Sequence, residues 1–324
     1  MPISVSARSL VLLVLLVLVL LVLVLLGGCG GSSNPDRVTL QLNWLHEAEF
    51  VGYYMAESEG FYRAERLDVE ILGGGPGSPA REKVVDGAAE FAITSFAEQR
   101  NMTLDGVPVT AIMAVFQIPP LVIFALNDSG ISEPAHLAGK RVGVTTDYWR
   151  NVLHQTLTAA GVDPTAVAEV KVGVGELSRL YNREVDAWLG YAQDEPIQAE
   201  TAGHPVLTIF PADYGVGGYE GLVIASDVTL REKPDMVRRF IRASHKGWQY
   251  ALEHPDEAAE VLATWAPEHS VDFHRLAVRA VVPLVDTPQA PVGWIDAERW
   301  RRLMGDSFEP ARPGYTMEFV PTTP

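Results

Sequence analysis

The chain has 324 residues, with 41 Asp and Glu against 25 Lys and Arg, a formal net charge of −16, and 48% hydrophobic residues. Nucleic-acid binding needs a basic footprint, so this balance argues against it; it suits a secreted, soluble domain. The length leaves room for two lobes of ordinary size, and no repeat of solenoid period runs through it.

Residues 10–26 are an unbroken Leu/Val run without charge, preceded by Arg8 and followed by Gly27-Gly28-Cys29-Gly30. The run is slightly short of the roughly 20 residues of a bilayer span and slightly longer than a signal-peptide core. The ending Leu26-Gly27-Gly28-Cys29 resembles a bacterial lipobox, an aliphatic residue and two small ones before an acylated cysteine. Residues 1–28 are therefore expected to be a signal peptide and Cys29 a lipidated (palmitate-bearing) first residue. Cys29 is the only cysteine, so no intramolecular disulfide forms. Each buried methylene of an acyl chain adds about 0.8 kcal/mol to anchoring. With 29–36 as linker, the body is expected on a flexible tether at the extracytoplasmic face of the cell membrane.

Short β-branched runs then alternate with helical stretches, the pattern of an α/β fold. Strands are predicted at 38–43, 67–72, 90–94, 108–115, 121–126, 141–145, 168–172, 186–190, 206–210 and 221–226. Helices are predicted between them at 48–60, 78–87, 96–104, 148–160, 176–182 and 194–202. From Lys233 the strands vanish: 234–254, 255–265, 270–282 and 296–304 read as helices punctuated by Pro234, Pro255, Pro267 and Pro283. A dinucleotide-binding fold is the alternative for such alternation, but it needs G-x-G-x-x-G after the first strand, and the sequence there has none.

The segment Asn43-Trp44-Leu45-His46-Glu47-Ala48-Glu49-Phe50-Val51-Gly52-Tyr53-Tyr54 places an indole and an amide at the carboxyl edge of the first strand, where open α/β sheets bind ligands. Its structural alternative is a core Trp beside a helix. Asn43-Trp44, Phe50, Gly52-Tyr53-Tyr54, Gly60-Phe61-Tyr62 and Leu67-Asp68-Val69 resemble, in order, the start of ThiY-type binding proteins, which deliver flat heterocyclic vitamin precursors to ABC importers. The weaker agreement continues through most of the chain. The resemblance implies a two-lobe periplasmic-binding-protein fold of type II with its ligand cleft between the lobes. Lobe one would take 37–125 plus 219–324 and lobe two 126–218. The crossings are expected at Leu126-Asn127-Asp128-Ser129-Gly130 and Tyr214-Gly215-Val216-Gly217-Gly218.

Four further segments carry candidate contacts. Gly73-Gly74-Gly75-Pro76-Gly77-Ser78 lies between strand and helix, where backbone amides can cradle an anion or a ring edge; it lacks the Gly-Lys-Ser/Thr ending of a phosphate loop. The alternative is a tight turn with Ser78 as cap. Ser95 ends a buried strand and reads equally as a helix cap. Thr146, Asp147, Tyr148 and Trp149 open lobe two, with Thr146 or Asp147 also available to cap the helix that follows. Asp186-Ala187, Gly190-Tyr191 and Glu195-Pro196 match a family pattern in which the glutamate pairs with ring nitrogens of an aminopyrimidine; a carboxylate at a helix start is also favourable without any ligand. In this reading Trp44, Tyr53, Tyr54, Trp149 and Tyr191 supply stacking faces. Asn43, Glu49, Asp147 and Glu195 supply edge hydrogen bonds, and Gly74, Gly75, Ser95 and Thr146 complete the set.

The eight histidines show no metal-ligand spacing, and one thiol cannot build a zinc site. Fungal pyrimidine synthases share the fold and the Asn-Trp opening, but carry a histidine and a cysteine cluster; here Phe50 stands in the histidine's place and the cluster is missing. A binder of sulfonate or nitrate would want a basic or strongly hydroxylic pocket, whereas these segments carry acids and aromatics. The expectation is a non-enzymatic ABC-importer binding protein without resident cofactor. It would be a monomer that works with permease and ATPase subunits. The long Leu/Val leader and the Thr-Thr-Asp-Tyr-Trp turn resemble the RibY branch, which implies riboflavin as ligand. A thiamine pyrimidine precursor, formylaminopyrimidine or hydroxymethylpyrimidine, is the alternative.

Overall fold

The structure, a computed structural model, describes residues 34–75, 77–288 and 290–321. Cys29 and the leader lie outside the described residues. Asp36–Pro324 form one unit, built on two five-stranded sheets. In chain order the strands are β1 (Asp36–Gln41), β2 (Leu67–Leu72), β3 (Phe91–Thr94), β4 (Val109–Phe116), β5 (Leu121–Leu126), β6 (Arg141–Val144), β7 (Ala168–Lys171), β8 (Ala187–Tyr191), β9 (Val206–Ile209) and β10 (Glu220–Ser226). The helices are α1 (Val51–Ser58), α2 (Phe61–Ala64), α3 (Ala80–Val85), α4 (Phe96–Leu104), α5 (Asp147–Ala159), α6 (Ser178–Tyr181), α7 (Glu195–Thr201), α8 (Asp227–Glu232), α9 (Pro234–Glu253), α10 (Pro255–Trp265), α11 (Val271–Val285) and α12 (Ala297–Met304).

The first sheet runs β2-β1-β3-β10-β4 and the second β7-β6-β8-β5-β9. In each, three strands are parallel and the fourth in the row is antiparallel to its neighbours. That antiparallel strand is the one entered from the other lobe: β10 in lobe one, β5 in lobe two. Both sheets are covered by helices, so central strands such as β3 and β5 are buried at every position, the state of a sheet packed on both faces.

The expected lobe boundary at 125/126 is corrected by β5. Its residues pair with Tyr191 to Trp188 of β8 on one side and with β9 on the other; a central strand needs both ladders to satisfy its backbone, and only the second sheet offers them. The chain therefore crosses at Gln117-Ile118-Pro119-Pro120, where two prolines without N–H end β4. The Gln117 and Ile118 amides donate to Leu284 O at 2.9 and 3.0 Å. The chain returns after the 3-10 turn Pro211–Tyr214. Gly217, at φ +108°, passes so near the first crossing that a Cβ there would stand 2.8 Å from Pro119. The two crossing segments thus lie side by side.

Pro283 was expected to end a helix but lies inside α11. Near the last turn a proline removes a single amide donor, and the Leu284 carbonyl left at that end is taken by the crossing segment. Against lobe one's sheet, α1 and α9 meet closely: a Cβ on Gly52 would lie 2.2 Å from the Trp248 ring, and one on Gly247 2.2 Å from Gly52 O. That contact, with Phe240, Tyr53, Tyr62 and Phe91, forms the centre of lobe one's core. Lobe two's own core is smaller and holds Val142, Leu153, Trp149 and Leu189.

Candidate functional site

The turns after β1 and β8 and the start of β10 come together between the lobes, and the residues there are acidic. The turn after β1 brings Glu47 and Glu49, with a 3-10 turn Ala48–Phe50 burying Ala48 and Phe50 and leaving the glutamates on the other side. The turn after β8 brings Asp194 and Glu195 from lobe two, and β10 starts with Glu220. Glu47, Glu49, Asp194 and Glu195 keep some accessible surface, so they line a recess rather than pack into the core. It is deep enough that desolvation dominates their chemistry. Burial raises the Glu47 carboxyl well above the usual range, and Glu49, Asp194, Glu195 and Glu268 add like charge. Glu49 is raised by burial first, then by Glu220 and Asp194. Glu195 is raised by burial and by Asp194, against a hydrogen bond from Tyr191 N–H at 2.8 Å. Asp194 is raised by burial, against Gln198 and His269. Burial pushes Glu220 up to about 8, although Tyr148 opposes this.

The lobes touch across this recess. The Tyr148 hydroxyl of α5 donates to Glu220 Oε1 at 3.1 Å, Ile197 of α7 packs into lobe one's core, and α7 meets α11. On lobe two's wall Tyr148, Trp149 and Tyr191 form an edge-to-face series, with centroids 5.4 and 5.1 Å apart. Such pairs are worth about 0.5–1.5 kcal/mol beyond their burial. Burial and the surrounding acids also raise the Tyr191 and Tyr148 hydroxyls, so both stay protonated donors.

The expected residues divide. Glu49, Tyr191 and Glu195 meet at the recess, as their mutual charge effects record. Asn43 and Trp44 are half-buried, Trp44 packed against lobe one's core; the Asn43 Oδ1 is buried without a partner among the described residues, a state that costs about 1–3 kcal/mol unless something donates to it. Others serve the fold. Gly74 donates its N–H to Trp44 O at 2.7 Å, and a Cβ there would meet Leu42 O at 2.4 Å, so its amide is spent on the strand end. Gly75 O accepts from Ser78 N–H at 2.9 Å; Ser78 Oγ donates to Leu42 O and caps nothing. Ser95 accepts from Glu98 N–H and Thr146 from Trp149 N–H, both as helix caps. Trp149 is 8% exposed and belongs to lobe two's core, so only part of its edge is offered. Two placements are corrected outright. The Tyr53 and Tyr54 rings are fully buried, Tyr53 against Trp248 and Tyr54 stacked on Trp265, because α1 turns that face toward α9 and α10. The Asp147 side chain is 90% exposed and paired with Arg150, because helix position N1 points along the outside of lobe two.

Glu47 and Glu220 escaped the sequence reading, and Tyr148 entered it only as an aromatic face. Glu47 had a signal, its spacing of two from Glu49. Glu220 had none, since its importance arises only where β10 meets the opposite lobe. Among the described residues no group of three or more His, Cys, Asp and Glu is arranged to hold a metal ion.

A model of the family described as NMT1/THI5 like matches residues 47–258. A 4-amino-5-hydroxymethyl-2-methylpyrimidine phosphate synthase of Legionella pneumophila is 27% identical over 90% of this chain and 95% of that protein. Riboflavin-binding protein RibY of Chloroflexus aurantiacus is 26% identical over 88% of this chain and 86% of its own. A formylaminopyrimidine-binding protein of Halalkalibacterium halodurans is 26% identical, over 83% and 84%. Among solved structures, the periplasmic aliphatic sulphonate binding protein SsuA of Escherichia coli superimposes with a TM-score of 0.67 at 15% identity, over 83% of this chain and 84% of that one. The fold is thus the two-lobe α/β fold of periplasmic binding proteins.

Proposed function

The chain belongs to the NMT1/THI5-like family, and on that premise we propose that it is the substrate-binding protein of an ABC importer. It captures riboflavin outside the cell membrane, to which Cys29 anchors it, and hands it to the permease and ATPase subunits. The observation that carries this reading is the interlobe recess, where carboxyls from both lobes meet Tyr148 and Tyr191, with Trp149 packed behind them. Aromatic walls with a few convergent polar groups are the composition of a small-ligand cleft. The acids favour a ligand that donates hydrogen bonds, and among the described residues no Lys or Arg acts on Glu47, Glu49, Glu195 or Glu220, so an anion such as a sulfonate finds no counter-charge there. Catalysis is not part of the proposal: Phe50, at the place of the synthases' histidine, is a core side chain 1% exposed. One observation favours a second reading. The Glu195 carboxyl, held by Tyr191 N–H, suits the ring edge of an aminopyrimidine, which makes a thiamine pyrimidine precursor the alternative cargo.

Titrating riboflavin into the purified protein tests the assignment. Its fluorescence should be quenched by the Trp and Tyr rings, with a Kd in the nanomolar to low micromolar range, about −8 to −12 kcal/mol. FMN should bind more weakly, since its phosphate finds, among the described residues, no Lys or Arg beside Glu47, Glu49, Glu195 or Glu220. Heat from formylaminopyrimidine with neither heat nor quenching from riboflavin would transfer the assignment to the pyrimidine. The anchor has its own check: Cys29→Ser should abolish incorporation of labelled lipid.

A further inference from the structure

The chain joins the two lobes at two short crossings. The first leaves lobe one at Ile118, packed on that lobe's core, and enters lobe two's core at Leu121. The second leaves lobe two's core at Val216 and enters lobe one at Tyr219. Pro119-Pro120 and Gly217-Gly218 are thus the residues between the cores. Lobe two holds its ends of the crossings by Ala192 N–H on Pro120 O at 2.8 Å and Val216 N–H on Pro211 O at 3.0 Å. On lobe one's side a single side chain reaches both. The half-buried Arg299 of α12 donates from Nη1 to Gln117 O at 2.6 Å and from Nη2 to Gly218 O at 3.3 Å. Its guanidinium also lies over the Tyr219 ring, 4.1 Å from the centroid. That ring is fixed in turn, since its hydroxyl accepts from Asp296 N–H at 2.8 Å and Asp296 Oδ1 accepts from Arg299 N–H.

We propose that Arg299 is a positioning residue for ligand capture: it pins both crossings to lobe one and confines closure to a rotation about Pro119-Pro120 and Gly217-Gly218. The inference rests on the binding-protein reading and not on the choice of cargo. A planar fork of donors can hold carbonyls of two separate segments at once, with charge-assisted hydrogen bonds; an ammonium on a flexible stem does this poorly. The crossings differ in stiffness. The prolines fix φ on one, while Gly217, at φ +108°, gives the other the freedom of a residue without Cβ. Left untied, the pliant crossing would turn independently of the stiff one, and lobe two would twist as well as close. Tied through Arg299 they turn together, as a hinge in which a few residues absorb the whole change.

The experiment places spin labels on the detergent-solubilised full chain carrying Cys29→Ser, so that introduced cysteines are its only thiols. Labels at Val228→Cys in lobe one and Val174→Cys in lobe two, both exposed, report the distance between lobes. Labels at Leu104→Cys and Val228→Cys report lobe one alone. Arg299→Met keeps the stem and removes the fork. It should broaden the interlobe distribution about 1.5-fold or more, as a hinge with added freedom does, and leave the distribution within lobe one unchanged. Arg301→Met, on the same helix but over the Phe308 ring, should change neither. With riboflavin as probe, Arg299→Met should raise the dissociation rate about threefold or more and the association rate less than about twofold, since a loosened closed state shows in release. An interlobe width equal to wild type in a variant that unfolds cooperatively would overturn the clamp. Broadening of both label pairs would also overturn it, making Arg299 a packing residue of lobe one. If Arg299→Met does not fold, Arg299→Lys is read by the same widths, because it keeps the charge and loses the fork. Absence of riboflavin binding refutes the riboflavin reading alone, and the ligand-free widths still decide the clamp.

Discussion

The two lobes share one strand order, three parallel strands followed by an antiparallel strand lent by the crossing and an edge strand, yet their equivalent turns do opposite work. After the first strand of lobe one, the turn holds Glu47 and Glu49 in a desolvated recess. After the first parallel strand of lobe two, β6, Thr146 caps a helix and Asp147 points into solvent. After the third parallel strand, β3 or β8, the roles reverse: Ser95 caps a helix in lobe one, while Asp194 and Glu195 line the recess in lobe two. The site is diagonal, one turn from each lobe, with Tyr148 and Glu220 tying the diagonal together. Repeating a topology therefore does not repeat a site; which turn becomes functional depends on which one the other lobe faces.

The comparison is broken most severely at the helix contacts. Gly52 lies under Trp248 in lobe one with 2.2 Å left for a Cβ, and Gly143 under Trp188 in lobe two with 2.8 Å. Overpacking costs about 1–3 kcal/mol and occasionally more, so Gly52→Ala should exceed about 3 kcal/mol in urea unfolding and Gly143→Ala should fall below it. The reverse order would show that α9 yields more easily than lobe two's sheet.

The tryptophans of the two first turns come next. Trp149 is a core residue, and Trp149→Ala should cost about 3–5 kcal/mol of stability. Trp44 is half-buried, and Trp44→Ala should weaken ligand binding at least about tenfold, about 1.4 kcal/mol, while the apo protein still folds. Unchanged affinity would move Trp44 from the cleft wall to the core.

The acids give a pH signature. Glu220 titrates near 8 in the folded protein instead of its ordinary 4.5. Between those values the unfolded chain releases a proton that the folded form keeps. Its contribution is thus fully present below about pH 4.5 and is lost as pH rises to about 8. The unfolding temperature should fall over that window, with Glu47, Glu49 and Glu195 adding to the slope. Glu220→Gln should flatten it; an unchanged slope would remove Glu220 from the desolvated set. The smallest effect belongs to lobe two's outward turn. Asp147→Ala should leave ligand affinity within threefold in a calorimetric titration, and a larger loss would restore Asp147 to the site.

Strand runs such as Leu121–Leu126 and the proline-bounded tail helices were readable from local pattern, because alternation, β-branched content and N-terminal prolines act over a few residues. The first turn was readable as a candidate site for the same reason, as an acidic, aromatic stretch after a strand, although its Phe50, Tyr53 and Tyr54 rings went to the core. Local pattern misled where the same residue type serves either purpose. Tyr53 and Tyr54 look like cleft aromatics until α9 and α10 cover them, and Asp147 looks like a ligand contact until its helix direction is known. The assignment of β5 to the second sheet also needed its partners, since a fully apolar strand fits the middle of either sheet. What the sequence determined by itself is the set of elements and the acidic, aromatic character of their turns. What the tertiary structure alone decided is which carboxyls share one recess, because desolvation and like-charge repulsion depend on through-space distance, and Glu49, Glu195 and Glu220 lie far apart along the chain.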